Sequence, residues 1–221
     1  MRRVLVLRPE PDASATVERA RERGLDAVAV PLFEVEPIDW DAPEPASIDG
    51  VLLTSANAVR HGGEQLRRFR GLKTYAVGDA TAAAAKDAGF DLAAIGDSGV
   101  DRLLGSIGAD LTLFHPSGED RREPEKARQK ITAVAVYRAW PINAPGLSAS
   151  PGSVALIHSP RAGRRFAELV SDRGGISVAA ISDAAAESVG DRWQAVEAAD
   201  QPCEDALLAL AARLCDKPQP K

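Results

Sequence analysis

GVLLTSANAV, residues 50–59, and VALIHSPRAG, residues 154–163, decide the fold of this chain. Each is an apolar run too short for a helix that breaks into polar residues and resumes with helical character. The serines of the two corners, Ser55 and Ser159, stand 104 residues apart. Gly78 and Ser182, at the end of the next strand in each case, keep that offset, as do Leu103-Leu104 and Leu207-Leu208 in the helix closing each half. Three landmarks at one spacing predict two copies of one α/β unit.

Outward from the corners the same alternation continues. VLVL (4–7) leads to an amphipathic helix, ASATVERARERG (13–24), then to AVAVPLFEV (27–35). GVLLTS leads to a helix near 56–69, and KTYAVG (73–78) to ATAAAAKDAG (80–89). LTLFHPSG (111–118) leads to a charged helix near 121–130, then ITAVAVYRA (131–139). A Pro/Gly/Ser-rich linker, PINAPGLSASPGS (141–153), precedes VALIHS, a helix near 161–173, ISVAAIS (176–182), another helix and the closing EDALLALAARL (204–214). Short apolar strands alternating with such helices predict parallel sheets built from βαβ units.

Val4–Pro9 resembles Leu111–Pro116, and AVAVPLFEV resembles ITAVAVYRA, but both pieces precede their corner block. Two packings satisfy this order. Residues 1–109 and 110–221 would form consecutive domains, or a middle domain of about 40–137 would be inserted into a split one, the chain crossing through 33–39 and 135–142. The pattern alone leaves both open.

Composition narrows the function. The chain has 221 residues, 45% hydrophobic and 27% charged, as in a soluble globular protein. Its net charge of −5 argues against a broad nucleic-acid surface. No stretch approaches the roughly 20 apolar residues of a membrane span, and VLVL is too short for a secretory signal, so a cytoplasmic protein with no membrane partner is expected. Cys203 and Cys215 read as buried free thiols. His61, His115 and His158 lack metal-ligand spacing.

Ligands of parallel α/β units lie beyond the carboxyl ends of the strands, where helix N-termini begin. The residues expected there are Arg8-Pro9, Thr54-Ser55-Ala56-Asn57, Gly78-Asp79-Ala80-Thr81, Pro116-Ser117-Gly118-Glu119, Ser159-Pro160-Arg161 and Ser182-Asp183. Unpaired N–H groups, hydroxyls and the positive end of the helix dipole suit anions. Each corner is equally what an ordinary helix cap looks like; repetition in two copies is what suggests a ligand with several anionic groups. Arg121-Arg122 and Arg161 to Arg165 supply local positive charge. No phosphate loop, nucleophile elbow or metal cluster occurs, and Asp79 with Asp97 is a weak carboxylate pair. Tyr137, at the end of AVAVY where the chain would cross between domains in the split arrangement, is placed either to pack or to donate a proton.

DGVLLTSANAVR, YAVGDATAAAAKDAGF, HPSGEDRRE, VAVYRA and HSPRAGRRF, together with the Arg8-Pro9 opening, resemble the uroporphyrinogen-III synthase family nearly from end to end. The resemblance implies two similar parallel-sheet α/β domains joined by a two-stranded linker, with an active-site cleft between them. It selects the split arrangement: 1–36 with 142–221, and 40–137 inserted. It implies cyclisation of linear hydroxymethylbilane, with inversion of ring D, by a monomer that uses no metal or cofactor and makes a transient contact with the preceding pathway enzyme. Tyr137 falls on the family's crossing-strand tyrosine, the donor to the departing hydroxyl. Thr54, Ser55, Gly78, Thr81, Gly118, Arg121, Arg122 and Ser159 fall on cleft-lining positions; Arg8, Asn57, Arg161 and Ser182 complete the expected substrate-binding set. One departure stands out: the second copy reads Ser182-Asp183-Ala184-Ala185 where the first has Gly78-Asp79-Ala80-Thr81. The alternatives are a non-catalytic two-domain binder of a polyanionic small molecule and a nucleotide-dependent transferase, the latter disfavoured by the missing phosphate loop.

Overall fold

Val51, Leu52 and Leu53 carry alternate side chains to opposite faces of their strand, and all three are fully buried. Val51 and Leu53 join Phe69, Phe90 and Phe114 on one side; Leu52 joins Leu103, Leu104 and Leu113 on the other. A strand buried on both faces belongs inside a parallel sheet. A computed structural model describes residues 2–96, 99–121, 123–143, 147 and 151–216 and contains two such sheets, in two compact units. Unit 1 is residues 1–34 with 140–221, and unit 2 is 35–139.

In unit 1, β1 (Val4–Val6), α1 (Asp12–Glu22) and β2 (Ala27–Ala29) form the first βαβ. The strands beyond the linker are β9 (Val154–Ile157), β10 (Ser177–Ala180) and β11 (Ala195–Ala198), interleaved with α6 (Pro160–Leu169) and α7 (Asp183–Glu187) and followed by α8 (Glu204–Asp216). The sheet order is β11-β10-β9-β1-β2, parallel throughout. Leu207, Leu208 and Leu214 of α8 and Val17 of α1 cover one face with Val4 and Val6.

Unit 2 holds β4 (Gly50–Leu53), α2 (Ala56–His61), α3 (Gly63–Arg67), β5 (Lys73–Val77), α4 (Asp79–Asp87), β6 (Leu92–Gly96), α5 (Val100–Gly105), β7 (Thr112–Gly118) and most of β8 (Lys130–Pro141). With β3 (Phe33–Pro37) the order is β3-β8-β7-β4-β5-β6. Apart from the added β3, this repeats the order of unit 1. The Ile38 N–H donates to the Val136 carbonyl at 3.2 Å and the Ile142 N–H to the Leu32 carbonyl at 3.0 Å. Those partners run in opposite senses, so β3 and β8 are the antiparallel pair along which the chain leaves unit 1 and returns.

The repeat holds for most elements: Gly50 and Val154, Lys73 and Ser177, Asp79 and Asp183, and Val100 and Glu204 each begin corresponding elements 104 residues apart. Val4 pairs with Val154, and Leu113 pairs with Gly50. Val4 therefore answers to Leu113 and Arg8 to Ser117, two residues on from the match to His115 that VLVLRP and LTLFHP suggest. Ala27 and Ile131 occupy equal places beside them, which makes Phe33 the counterpart of Tyr137.

Four expectations change. The helix near 56–69 is two short helices, α2 and α3, divided at the Gly62-Gly63 pair. The charged helix near 121–130 is absent among the described residues. Its stretch offers no apolar face to bury and contains Pro124, and its backbone is held elsewhere: the Glu125 and Lys126 N–H groups donate to Asp101 Oδ1 at 2.9 and 3.0 Å. Gln129 Nε2 donates to the carbonyls of Leu104 and Gly108 at 3.0 and 2.9 Å. The edge strands β6 and β11 lie where no strand was expected, because short alanine-rich runs give little strand signal. Cys203 is exposed and Cys215 half-buried, both as free thiols, so only the second has the expected shelter. Asp97, Arg122 and linker residues 144–146 and 148–150 lie outside the described residues.

Candidate active site

Unit 2 assembles its polar residues at the carboxyl ends of β4, β5, β7 and β8. Tyr137, on β8, donates its phenol O–H to Ser55 Oγ at 3.1 Å. Ser55 is the N-cap of α2 and also accepts the Asn57 N–H at 3.2 Å. With two donors already aimed at its oxygen, the Ser55 hydroxyl is left to donate its own proton. The tyrosine ring rests on Gly118, where an added Cβ would come within 2.8 Å of Cζ and 2.9 Å of the phenol oxygen. Gly118 thus serves the tyrosine, whereas sequence reasoning assigned it to substrate. The His61 ring lies 6.2 Å from the Tyr137 ring, centre to centre. Burial, then the Arg60 charge, lowers the basicity of His61.

Behind this pair, Thr54 Oγ1 lies 2.9 Å from His115 Nε2. His115 is 1% exposed on β7, and burial first, then Arg121, holds its pKa at about 4 against the opposing Glu123. At neutral pH it is an uncharged imidazole. Gly78 begins α4 with φ +82 and open space where a side chain would stand. That conformation favours glycine, and it leaves the first turn of α4 uncovered by any capping side chain. Thr81 is buried within α4. Asn57 Oδ1 accepts from Arg60 at 3.1 Å, and Arg121 is paired to Glu123 at 2.7 Å. A hollow of about 510 Å³ beside His61 is lined by Asp39, Asp41 and Glu64, which is the wrong charge for a polyanion.

The corresponding strand ends of unit 1 are occupied by their own charges. Arg8 pairs with Asp12 and Glu204, each at 3.3 Å, and Thr16 donates to Glu204 at 2.8 Å. His158 Nε2 lies 3.2 Å from the same carboxylate. Burial would raise the Glu204 pKa, but the hydrogen bond and charge of His158, the Thr16 hydroxyl and Arg8 together hold it down at about 2. Ser159 caps α6 through the Ala162 N–H at 3.2 Å, and Ser182 caps α7 through the Ala185 N–H at 3.4 Å. Arg161 lies over the Phe33 ring at 4.5 Å from its centre.

The structure therefore brings Thr54, Ser55, Gly118 and Tyr137 together in unit 2. It places Arg8 in an internal ion-pair network, Thr81 inside its helix, Arg121 on Glu123 and Arg161 on an aromatic face. Sequence reasoning missed His61, His115, His158 and Glu204 as participants. Position gave a signal for two of them, His158 just past the end of β9 and Glu204 at the start of α8, whereas His115 sits in the middle of β7. Among the described residues no group of three or more His, Cys, Asp or Glu side chains is placed to hold a metal ion, and no helix is long and apolar enough to cross a membrane.

Duplicated parallel α/β units with hydroxyls, a phenol and uncapped backbone N–H groups at one set of strand ends define a class of two-unit α/β proteins suited to an anionic small molecule. The family model described as uroporphyrinogen-III synthase HemD matches residues 14–209, and the chain belongs to this family. A uroporphyrinogen-III synthase of Chlorobaculum parvum is 29% identical over 90 residues, 37% of this chain and 37% of that relative. The chain is thus matched over little more than a third of the relative's length. The fold is that of uroporphyrinogen-III synthetase from Helicobacter pylori, with a TM-score of 0.66 at 17% identity over 97% of this chain and 100% of the other. A mutant uroporphyrinogen III synthase from Thermus thermophilus gives 0.58 at 16% identity over 99% and 100%.

Proposed function

We propose that this protein is a uroporphyrinogen-III synthase, a cyclising lyase that converts linear hydroxymethylbilane to uroporphyrinogen III with inversion of ring D. The observation that carries this reading is the Tyr137 phenol, hydrogen-bonded to Ser55 and seated on Gly118 at the strand ends of unit 2. The substrate needs its hydroxyl protonated to leave as water. Attack by the substituted carbon of ring D then gives a spiro intermediate, which reopens and closes with loss of a ring proton, so that water is the net product. A phenol supplies the first proton and regains one at the last step.

The remaining work is to fold a flexible chain carrying eight carboxylates and to exclude water, which is positioning more than strong acid–base chemistry. Thr54, Ser55 and the open first turn of α4 at Gly78 offer donors to these carboxylates. Arg121 and Arg122 supply longer-range attraction. The protein acts as a cytoplasmic monomer in this reading.

Incubation with freshly prepared hydroxymethylbilane, followed by oxidation and separation of the product isomers, tests the assignment. Predominantly isomer III is expected, since closure without ring inversion gives isomer I. Isomer I alone, formed at the protein-free rate, would overturn the assignment and leave a binder of polyanions.

A further inference from the structure

We infer that His115 is a positioning residue whose Nε2–H donates to Thr54 Oγ1, leaving the Thr54 hydroxyl proton to be donated to a carboxylate of the substrate. The inference rests on the proposed role of Thr54 as a substrate contact.

His115 is 1% exposed, its Nε2 is 2.9 Å from Thr54 Oγ1, and its Nδ1 is buried with no hydrogen-bond partner among the described residues. A buried neutral imidazole carries one N–H, so the ring has two forms. With the proton on Nδ1, a buried donor is orphaned, and Thr54 must spend its own proton on Nε2. Its remaining lone pairs would then face the anion. With the proton on Nε2, the ring donates to Thr54, the orphan is a bare lone pair, and the Thr54 proton is available to the carboxylate. Orphaned buried N–H groups are the rarer of the two defects, and an anion beside Thr54 adds a charge-assisted hydrogen bond only in the second form. Thr54 is half-buried at the end of β4, next to the Ser55 that holds Tyr137. His115 therefore sets the direction of a hydrogen bond one residue from the phenol without touching substrate itself.

Steady-state kinetics of the full chain with hydroxymethylbilane separate the possibilities. Thr54→Val and His115→Met should each raise KM about tenfold, the size of one hydrogen bond to a charged group, with kcat changed less than about twofold. The double variant should be no worse than Thr54→Val alone, because both changes delete the same donated proton. His115→Gln, whose amide N–H can reach the Nε2 place, should keep KM near that of the parent, whereas the shorter His115→Asn should not; this pair decides the matter if His115→Met fails to fold. Additive effects in the double variant, or an unmoved KM in His115→Met and His115→Asn when Thr54→Val raises it, would overturn the inference. An unmoved KM in Thr54→Val would instead remove Thr54 from the substrate and with it the ground on which the role of His115 stands.

Discussion

The two units share one strand order and one spacing, yet their strand ends have opposite character. Thr54 of unit 2 has His158 as its counterpart 104 residues on, Asn57 has Arg161, and Tyr137 has Phe33. In unit 1 the charged set closes on itself: Glu204 receives Arg8, Thr16 and His158, while Arg161 covers Phe33. In unit 2 the equivalent space holds hydroxyls and an uncharged imidazole, with the phenol resting on a glycine. A satisfied ion-pair network stabilises its own unit and has little left to offer a ligand; a neutral set with protons to donate costs stability and suits chemistry. Duplication supplied one scaffold, and in the proposed function side-chain substitution divides its use between structure in unit 1 and catalysis in unit 2.

The largest effect that would break this contrast lies in unit 1. With its pKa depressed to about 2 in the fold against 4.5 normally, Glu204 contributes stability that is complete above about pH 4.5 and is lost as the pH falls toward 2. Urea unfolding should show Glu204→Gln less stable at pH 7 by on the order of 3 kcal/mol, with the acid loss over that window removed. An unchanged acid slope would mean that the network is not what holds unit 1. His115 acts in the same direction over a higher window: its folded-state pKa of about 4 lies below the ordinary 6.5, so the unfolded chain takes the proton first and stability declines as the pH falls from 6.5 to 4. His115→Gln should flatten that higher window and leave the lower one alone.

Next in size, Tyr137→Phe should cut turnover about a hundredfold, the usual value of a general acid, with the melting temperature little changed. Phe33→Tyr, which installs the phenol at the matching place in unit 1, should not raise activity or rescue that loss. Equal turnover by Tyr137→Phe and the parent would take the phenol out of the mechanism. Gly118→Ala should lower kcat about tenfold by displacing the ring, and this effect should vanish in a Tyr137→Phe background, where there is no phenol to misplace. Smallest of all, Arg121→Ala combined with Arg122→Ala should raise KM about fivefold at low salt and less at high salt, as screened attraction requires. An unaltered KM would confine Arg121 to its pairing with Glu123.

Much of this was legible in the chain. The apolar runs before Ser55 and Ser159, their offset and the βα alternation specify two parallel sheets, because a strand buried on both faces needs an uninterrupted apolar run. The segment between β7 and β8 shows where such reading fails. In unit 1 the same slot holds α1, with Ala13, Thr16, Val17 and Ala20 buried along one stripe. Residues 121–130 have charge but no stripe, and a helix this short gains little without a face to bury. The edge strands β6 and β11 were illegible for a related reason: pairing with β5 and β10 stabilises them more than their own alanines do.

The sequence by itself determined the duplication, the parallel sheets and the capping serines, since each depends on neighbours a few residues away or on a fixed repeat. Only the tertiary structure decided which corner residues are free to act. Arg8 meets Glu204 across 196 residues of chain, Tyr137 meets Ser55 across 82, and Thr54 meets His115 across 61. Whether an arginine is a ligand's partner or a carboxylate's is settled by what the fold brings within 3 Å or so of it, and local spacing carries no record of that.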